Sequence, residues 1–323
     1  MSSSLISLLV IIGLLVVVVI PTVAGQLRVG FYNASCPSAE LIIQQVVQKR
    51  FASDPSITAA LLRMHFHDCF VKGCDASILI DSTQSKSSEK DAGPNLTVRE
   101  FDLIDDAKTN LEAACPGTVS CADIITLATR DSVALAGGPS YNVPTGRRDG
   151  LVSDPSLVRL PGPDLTVPQA LRFFTAKRLN LNDMVTLLGG HSVGVAHCNF
   201  FQDRLSNFRG TGKPDPDMDP ALVSELQQTC GKQSTAFLDQ NTSFVLDNQF
   251  YNQVLLKRGV MRIDQELTLN KASAPIVSGF ASNAGGFQQR FAAAMVKMGS
   301  IEVLVGSAGE IRNNCRVFNP TKQ

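Results

Sequence analysis

No block of lysine or arginine stands out in this chain. Its 29 basic and 29 acidic side chains balance to a formal charge of zero over 323 residues. Neither nucleic acid nor an anionic membrane surface is therefore implied as a partner, and small neutral or phenolic ligands stay open. No Pro/Ser-rich linker splits the sequence, so its length reads as one large domain or two intimately packed lobes, and 44% apolar residues suffice for a substantial core. Internal repeats, low-complexity tracts and C-x-x-C redox motifs are absent, and strand signals are few. Tryptophan is missing altogether, and tyrosine is confined to Tyr32, Tyr141 and Tyr251.

The first 25 residues carry no charged side chain. They hold an apolar run from Leu8 to Ile20, then Pro21 and the small residues Val23, Ala24 and Gly25. This reads as a cleaved signal peptide, leaving a mature chain of 26–323 whose Gln26 is set to cyclise to pyroglutamate. The basic n-region usual in such a leader is missing, so a signal anchor is the alternative, a bilayer span needing about 20 apolar residues. Eight cysteines (Cys36, Cys69, Cys74, Cys115, Cys121, Cys198, Cys230 and Cys315) in a chain with an export signal imply four disulfides rather than reactive thiols. Spacing alone ties only Cys69 to Cys74.

Apolar periodicity predicts helices over Ser38–Phe51, Ile57–Phe70, Phe101–Ala114, Ala122–Ala136, Pro168–Leu179, Asn182–Gly189, Pro220–Thr229, Asn248–Lys257 and Phe287–Met298. Asp219-Pro220 reads as a helix start, with Asp as N-cap and Pro in the first turn. The acidic run Asp215, Asp217 and Asp219 is accordingly structural rather than a metal site.

Residues 63–69 read Arg-Met-His-Phe-His-Asp-Cys, and residues 189–194 read Gly-Gly-His-Ser-Val-Gly. Helical spacing puts Arg63 and His67 on one face, where a guanidinium and an imidazole can both lean over a bound peroxide. His65 points elsewhere. A core histidine or a zinc ligand is the bland reading of an H-x-H, but two histidines two apart project to different sides of a helix, which disfavours zinc. The two histidine sites together point to a haem held between two helices.

In combination the motifs R-M-H-F-H-D-C-F-V-K-G-C-D-A-S, E-K-D-A-G-P-N, V-S-C-A-D-I-I, G-G-P-S-Y, G-R-R-D, G-G-H-S-V-G, F-V-L-D-N and D-Q-E-L, in this order, resemble the class III secretory plant peroxidases over nearly all of Gln26–Asn319. The resemblance implies a mainly α, two-lobed haem peroxidase fold with four disulfides, its distal and proximal lobes enclosing one haem b. It implies an enzyme that reduces hydrogen peroxide to water while oxidising phenolic donors in one-electron steps. His191 would be the iron ligand. Asp264 would carry the second nitrogen of that imidazole, raising its basicity. The bland alternative for Asp264 is the N-cap of a following short helix.

On the distal side the resemblance makes His67 the group that moves the peroxide proton and Arg63 the group that stabilises charge on the departing oxygen. Asn95, braced by Glu89, would hold His67 in orientation. Asn95 has two other readings, a turn residue after Gly93-Pro94 and a glycosylation site in the sequon Asn95-Leu96-Thr97. Phe66 would pack over the haem, with core packing as its alternative, and Pro161 would meet reducing substrates at the haem edge or else be a plain loop proline. His197 lies near a haem propionate in relatives, or simply caps its segment.

Two calcium ions are implied, one on Asp68, Val71, Gly73, Asp75 and Ser77, the other on Ser192, Asp239, Thr242, Val245 and Asp247. Calcium takes oxygens only, backbone carbonyls included, and solvated acidic turns are the alternative. The family's disulfide pattern pairs Cys36 with Cys115, Cys69 with Cys74, Cys121 with Cys315 and Cys198 with Cys230. Arg147-Arg148-Asp149 reads as a structural ion-pair cluster.

The chain departs from the family at Glu100, where Gly is usual, and at Val193, where some members have an aromatic. Absence of tryptophan removes the tryptophan route by which some peroxidases oxidise bulky polymers, which favours small phenolics reaching the haem edge. Only eight residues follow Cys315, so secretion to the cell wall or apoplast is expected rather than vacuolar sorting, with sequons at Asn33 and Asn241 and a monomeric enzyme. The competing functions are an inactive secreted haem- or calcium-binding protein and a secreted metal hydrolase. The first does not need Arg63, His67, Asn95 and Asp264 together, and the second lacks a third ligand.

Overall fold

The computed structural model describes residues 26–320, so the leader assigned to residues 1–25 lies outside the described part. Among the described residues no helix is long and apolar enough to cross a membrane. Among these residues the regular structure is mainly helical, with one short two-stranded sheet. All nine helices expected from periodicity form: α1 (Ala39–Ser53), α2 (Ile57–Val71), α3 (Phe101–Ala114), α4 (Cys121–Leu135), α5 (Val167–Ala176), α6 (Leu181–Leu188), α8 (Pro220–Cys230), α9 (Gln249–Leu255) and α12 (Ala284–Met298). Three more appear: α7 (Gln202–Ser206), α10 (Arg262–Leu269) and α11 (Ala274–Ser282). Helix α7 is too short to show a period, and α11 is apolar nearly all round although it buries little beyond Val277.

The helix ends follow side-chain chemistry. Asp219 caps α8 by accepting the Leu222 N–H at 2.9 Å, as expected. Asn180 and Asp183 cap α6 reciprocally, each accepting the other's backbone N–H at 3.0 Å. Helix α12 starts three residues before its predicted position because Asn283 accepts the Gly286 N–H at 2.8 Å and so recruits Gly285 and Gly286, which read as turn in sequence.

Two large apolar cores form. The first gathers α1, α3 and α4 around Ile43, Leu103, Ile104 and Ile125, and the second gathers α5, α6 and α9 to α12 around Met184, Phe250, Tyr251, Phe287 and Phe291. Helix α2 serves both, sending Leu61 and Met64 into the first and Cys69 and Phe70 into the second. It therefore stands at the seam between the lobes, where Arg63 and His67 are carried. A third, smaller core joins α7, α8 and the antiparallel strands β1 (Val195–His197) and β2 (Thr235–Phe237), which pair Ala196 with Ala236.

All four disulfides pair as the resemblance implied. Cys121–Cys315 and Cys36–Cys115 span 194 and 79 residues, so both restrict the unfolded chain by long loops. The expected cluster at Arg147-Arg148-Asp149 is structural but differently wired. Arg147 pairs in the interior with Asp123 at 2.6 Å, whereas Asp149 accepts the backbone N–H groups of Cys121 and Ala122 at the start of α4. Asp215 forms a buried pair with Arg204 at 2.8 Å. Glu100 adopts the left-handed conformation (φ 71°) that explains a family preference for Gly, and its carboxylate is held between Arg50 at 3.0 Å and Arg99 at 2.5 Å.

Candidate active site

Helix α2 and the segment Glu89–Thr97 build one half of the site. His67 Nδ1 lies 2.6 Å from Asn95 Oδ1, and Asn95 Nδ2 donates to the Glu89 carbonyl at 2.7 Å. Because the amide nitrogen is spent on a carbonyl, its oxygen faces the imidazole, which fixes the proton on Nδ1 and leaves Nε2 as a bare base. Burial, helped by the nearby Arg63 charge, holds the His67 pKa down to about 3, so the ring is neutral. Glu89 braces Asn95, as expected, but through its main chain. Its carboxylate has no hydrogen-bond partner and is pushed up to about 8, by burial first and Asp75 second. Asn95 is 2% exposed, which leaves no room for a glycan on its amide.

Arg63 is partly buried. Its Nη1 donates to Thr97 Oγ1 and its Nη2 to the Pro94 carbonyl, both at 2.8 Å. Burial lowers its pKa, yet a guanidinium stays charged at any working pH. Phe66 packs between Phe70, with centroids 4.4 Å apart, and Phe174, stacked at 6.5 Å, and meets His67 edge-on at 5.5 Å. The ring thus links His67 to the second core.

His191 lies in the turn Gly189–Ser192 that continues α6. The turn packs closely, since a Cβ on Gly189 would come within 2.4 Å of the Tyr251 hydroxyl. His191 Nδ1 donates to Asp264 Oδ1 at 2.8 Å, and Phe250 meets the ring edge-on at 6.0 Å. Burial pulls the imidazole pKa down, but the charge and hydrogen bond of Asp264 outweigh it and leave the pKa raised. Asp264 is the third residue of α10 and 1% exposed, so the N-cap reading does not hold. The His191 side chain is 30% exposed, and its Nε2 has no hydrogen-bond partner among the described residues. An imidazole with one nitrogen tied to a carboxylate and the other left open suits a haem iron, which takes the neutral form of the ring.

Pro161 is half-buried in a loop pinned to α10 by the Ile263 N–H to Pro163 carbonyl bond of 3.0 Å. His197 ends β1 opposite Thr235 and stands at the start of the turn Cys198–Phe200, edge-on to Phe200 at 6.3 Å, with no capping hydrogen bond from its side chain. His65, Cys69 and Cys74 approach one another closely enough to share a metal ion, but the two sulfurs are bonded to each other and are not ligands.

Of the two proposed cation loops, the second brings its side chains and a carbonyl into mutual contact, and in the first Asp75 meets Ser77. In the first, Asp68 and Asp75 are buried with Glu89, and Asp68 Oδ1 has no partner. Burial pushes both aspartates up, and for Asp68 the neighbouring Asp75 charge adds to it. Asp75 Oδ1 accepts from Ser77 N at 3.0 Å. Gly73 adopts φ 92°, and a Cβ there would strike the Glu302 carbonyl. The Val71 carbonyl accepts from Lys177 Nζ at 3.2 Å. In the second, Asp247 Oδ1 accepts from both Ser192 Oγ and Thr242 Oγ1 at 3.2 Å, Ser192 Oγ reaches the Val245 carbonyl at 2.8 Å, and Asp239 is raised by burial. Both sets are oxygen-only, which fits a hard cation.

A family model described as Peroxidase matches residues 43–283. Peroxidase 57 and Peroxidase 44 of Arabidopsis thaliana are 58% and 59% identical to the chain, each over 93% of it and 95% of the relative. Peroxidase 5 of Vitis vinifera is 46% identical over 91% and 92%. The chain belongs to the plant peroxidase family. It is a haem-dependent peroxidase, taking hydrogen peroxide and a reducing substrate. The metal-hydrolase reading is set aside, and the coexistence of Arg63, His67, Asn95, His191 and Asp264 leaves the inactive alternative without support. Two participants escaped the sequence reading, Thr97 and the Pro94 carbonyl. Thr97 was visible there only as the last residue of a sequon, and a backbone carbonyl carries no sequence signal.

Proposed function

We propose that this peroxidase is a secreted, monomeric enzyme that uses hydrogen peroxide to oxidise small phenolic donors in the cell wall or apoplast, in lignin and suberin metabolism and in peroxide removal. The reading rests on one observation above all: two imidazoles, His67 and His191, each spend Nδ1 on a buried acceptor and keep Nε2 open. One is then a base and the other a ligand.

When bound, haem supplies the redox-active iron on which peroxide is split. His191 would hold it, with Asp264 raising the basicity of that imidazole. His67 takes a proton from one peroxide oxygen through Nε2 and returns it to the other, which leaves as water. Positioned transfer of this kind is worth roughly 10²- to 10⁴-fold. Asn95 keeps the base neutral and correctly turned. Arg63 stabilises negative charge on the leaving oxygen. Two donor phenols then each give up one electron and one proton, so each turnover yields two waters and two phenoxyl radicals. Phe66 keeps donors off the iron, and Pro161 meets them at the haem edge.

Calcium on Asp68, Val71, Gly73, Asp75 and Ser77, and a second ion on Ser192, Asp239, Thr242, Val245 and Asp247, would brace α2 beside His67 and the turn beside His191. Buried carboxylates with an unpartnered oxygen support the first. Purified protein supplied with hemin is expected to give a Soret band and peroxide-dependent guaiacol oxidation. A Soret band with no oxidation would favour the inactive alternative, and no haem uptake would end the reading.

A further inference from the structure

Arg63 and His67 are four residues apart on α2, and both are tied to the same short stretch of chain. The stretch Gly93–Thr97 offers Asn95 Oδ1 to His67 at 2.6 Å, and the Pro94 carbonyl and Thr97 Oγ1 to Arg63 at 2.8 Å each. It is held in turn by its own turns, with Asn95 N–H to the Ala92 carbonyl at 2.7 Å and Val98 N–H to the Asn95 carbonyl at 3.0 Å, and by Asn95 Nδ2 on the Glu89 carbonyl. Pro94 adds stiffness, since its ring fixes φ.

The guanidinium is thereby suspended by both outer nitrogens, and Arg63 Nε has no partner among the described residues. A planar group held at two points keeps one plane, whereas a group held at one point turns about that bond. Of the two anchors only Thr97 is a side chain, so only it is set by residue choice. We propose that Thr97 is a positioning residue, one that fixes the plane of the Arg63 guanidinium over the distal cavity. Its hydroxyl does not touch peroxide. Through the bracket Gly93–Thr97, the base and the charge-stabilising group move as one unit, because both hang from the same five residues.

This rests on Arg63 acting in the distal site, and the test separates the two ideas. Three variants are compared with wild type in the haem-loaded enzyme: Thr97→Val, which keeps shape and loses the acceptor, Thr97→Ser, which keeps it, and Arg63→Leu. The readouts are kcat/KM for hydrogen peroxide, kcat/KM for the phenol at saturating peroxide, and the dissociation constant for fluoride, an anion whose binding Arg63 would favour by charge and hydrogen bonding. In haem-free protein, the exchange rate of the Arg63 side-chain N–H signals is followed by NMR.

Expected for Thr97→Val are a drop of about tenfold in the peroxide step, smaller than the roughly hundredfold cost of a 1 Å misplacement, an unchanged donor step, weaker fluoride binding and faster Arg63 N–H exchange. Thr97→Ser should restore all three altered readouts. Thr97→Val also removes the sequon at Asn95 while Thr97→Ser keeps it, so equal intact masses apart from the substitution exclude a glycan effect. If Arg63→Leu slows the peroxide step and Thr97→Val leaves it and the exchange rate unchanged, Thr97 has no positioning role. If Arg63→Leu itself changes nothing, the distal assignment of Arg63 fails, and the role of Thr97 falls with it.

Discussion

Asp264 accepts the Nδ1 proton of His191 at 2.8 Å from a helix that begins 71 positions further along the chain, and its second carboxylate oxygen is buried without a partner. The imidazole is therefore the only hydrogen-bond donor to this carboxylate among the described residues. Asp264→Asn keeps the shape and removes that charge. It should raise the iron reduction potential, and activity should fall about 10- to 100-fold, the usual cost of losing such a partner. Potentiometry of the haem-loaded variant is the check, and an unchanged potential would count against the assignment.

Asn95 sets the tautomer of His67. Asn95→Val removes the acceptor and leaves Nδ1 without a partner, so the ring is free to turn or to place its proton on Nε2, where it no longer acts as a base. The rate of peroxide consumption should fall by about 10²-fold or more within the range of positioned proton transfer. Haem binding should be unaffected. A variant within twofold of wild type would show that the imidazole orientation is held by other means.

Calcium removal by a chelator should lower activity while the Soret band remains, because each proposed ion braces a segment next to a histidine rather than the haem itself. Metal analysis of the purified enzyme should find two calcium ions per chain. Full activity in calcium-free enzyme would defeat the bracing role.

His65 gives the acid response of stability. It is buried beside Thr126, and burial, with the Arg147 charge second, holds its pKa down to about 3 from an ordinary 6.5. The unfolded chain therefore takes up a proton that the folded chain refuses. Stability is fully present above about pH 6.5 and is lost as pH falls from there toward 3, by about 2 kcal/mol at pH 5 for this one group. His67 follows the same sign. His65→Gln should flatten the decline of the denaturant midpoint between pH 7 and pH 4. A slope equal to that of wild type would remove His65 as its source.

Much of the architecture is legible in the residues themselves. Nine helices follow from apolar spacing, and Arg63 and His67 share a face because an α-helix places residues four apart on one side. The other helices lack that signal: α7 is too short, α11 is apolar nearly all round, and the polar α10 reads only as a short helix after Asp264. Asp264 itself was readable two ways from Arg-Ile-Asp-Gln-Glu, as a cap or as a partner for His191, and local sequence could not choose.

Sequence by itself determined the residue types, the helical spacing and the cysteine set, since these depend on neighbours within a few positions or on composition. Packing of the lobes decided the rest. Only the folded chain shows that Glu89 braces Asn95 through its carbonyl, that Arg147 pairs with Asp123 rather than Asp149, and that Thr97 and Pro94 hold Arg63. Such contacts join groups far apart in the chain or use backbone atoms common to every residue, so they are fixed by where the helices come to rest.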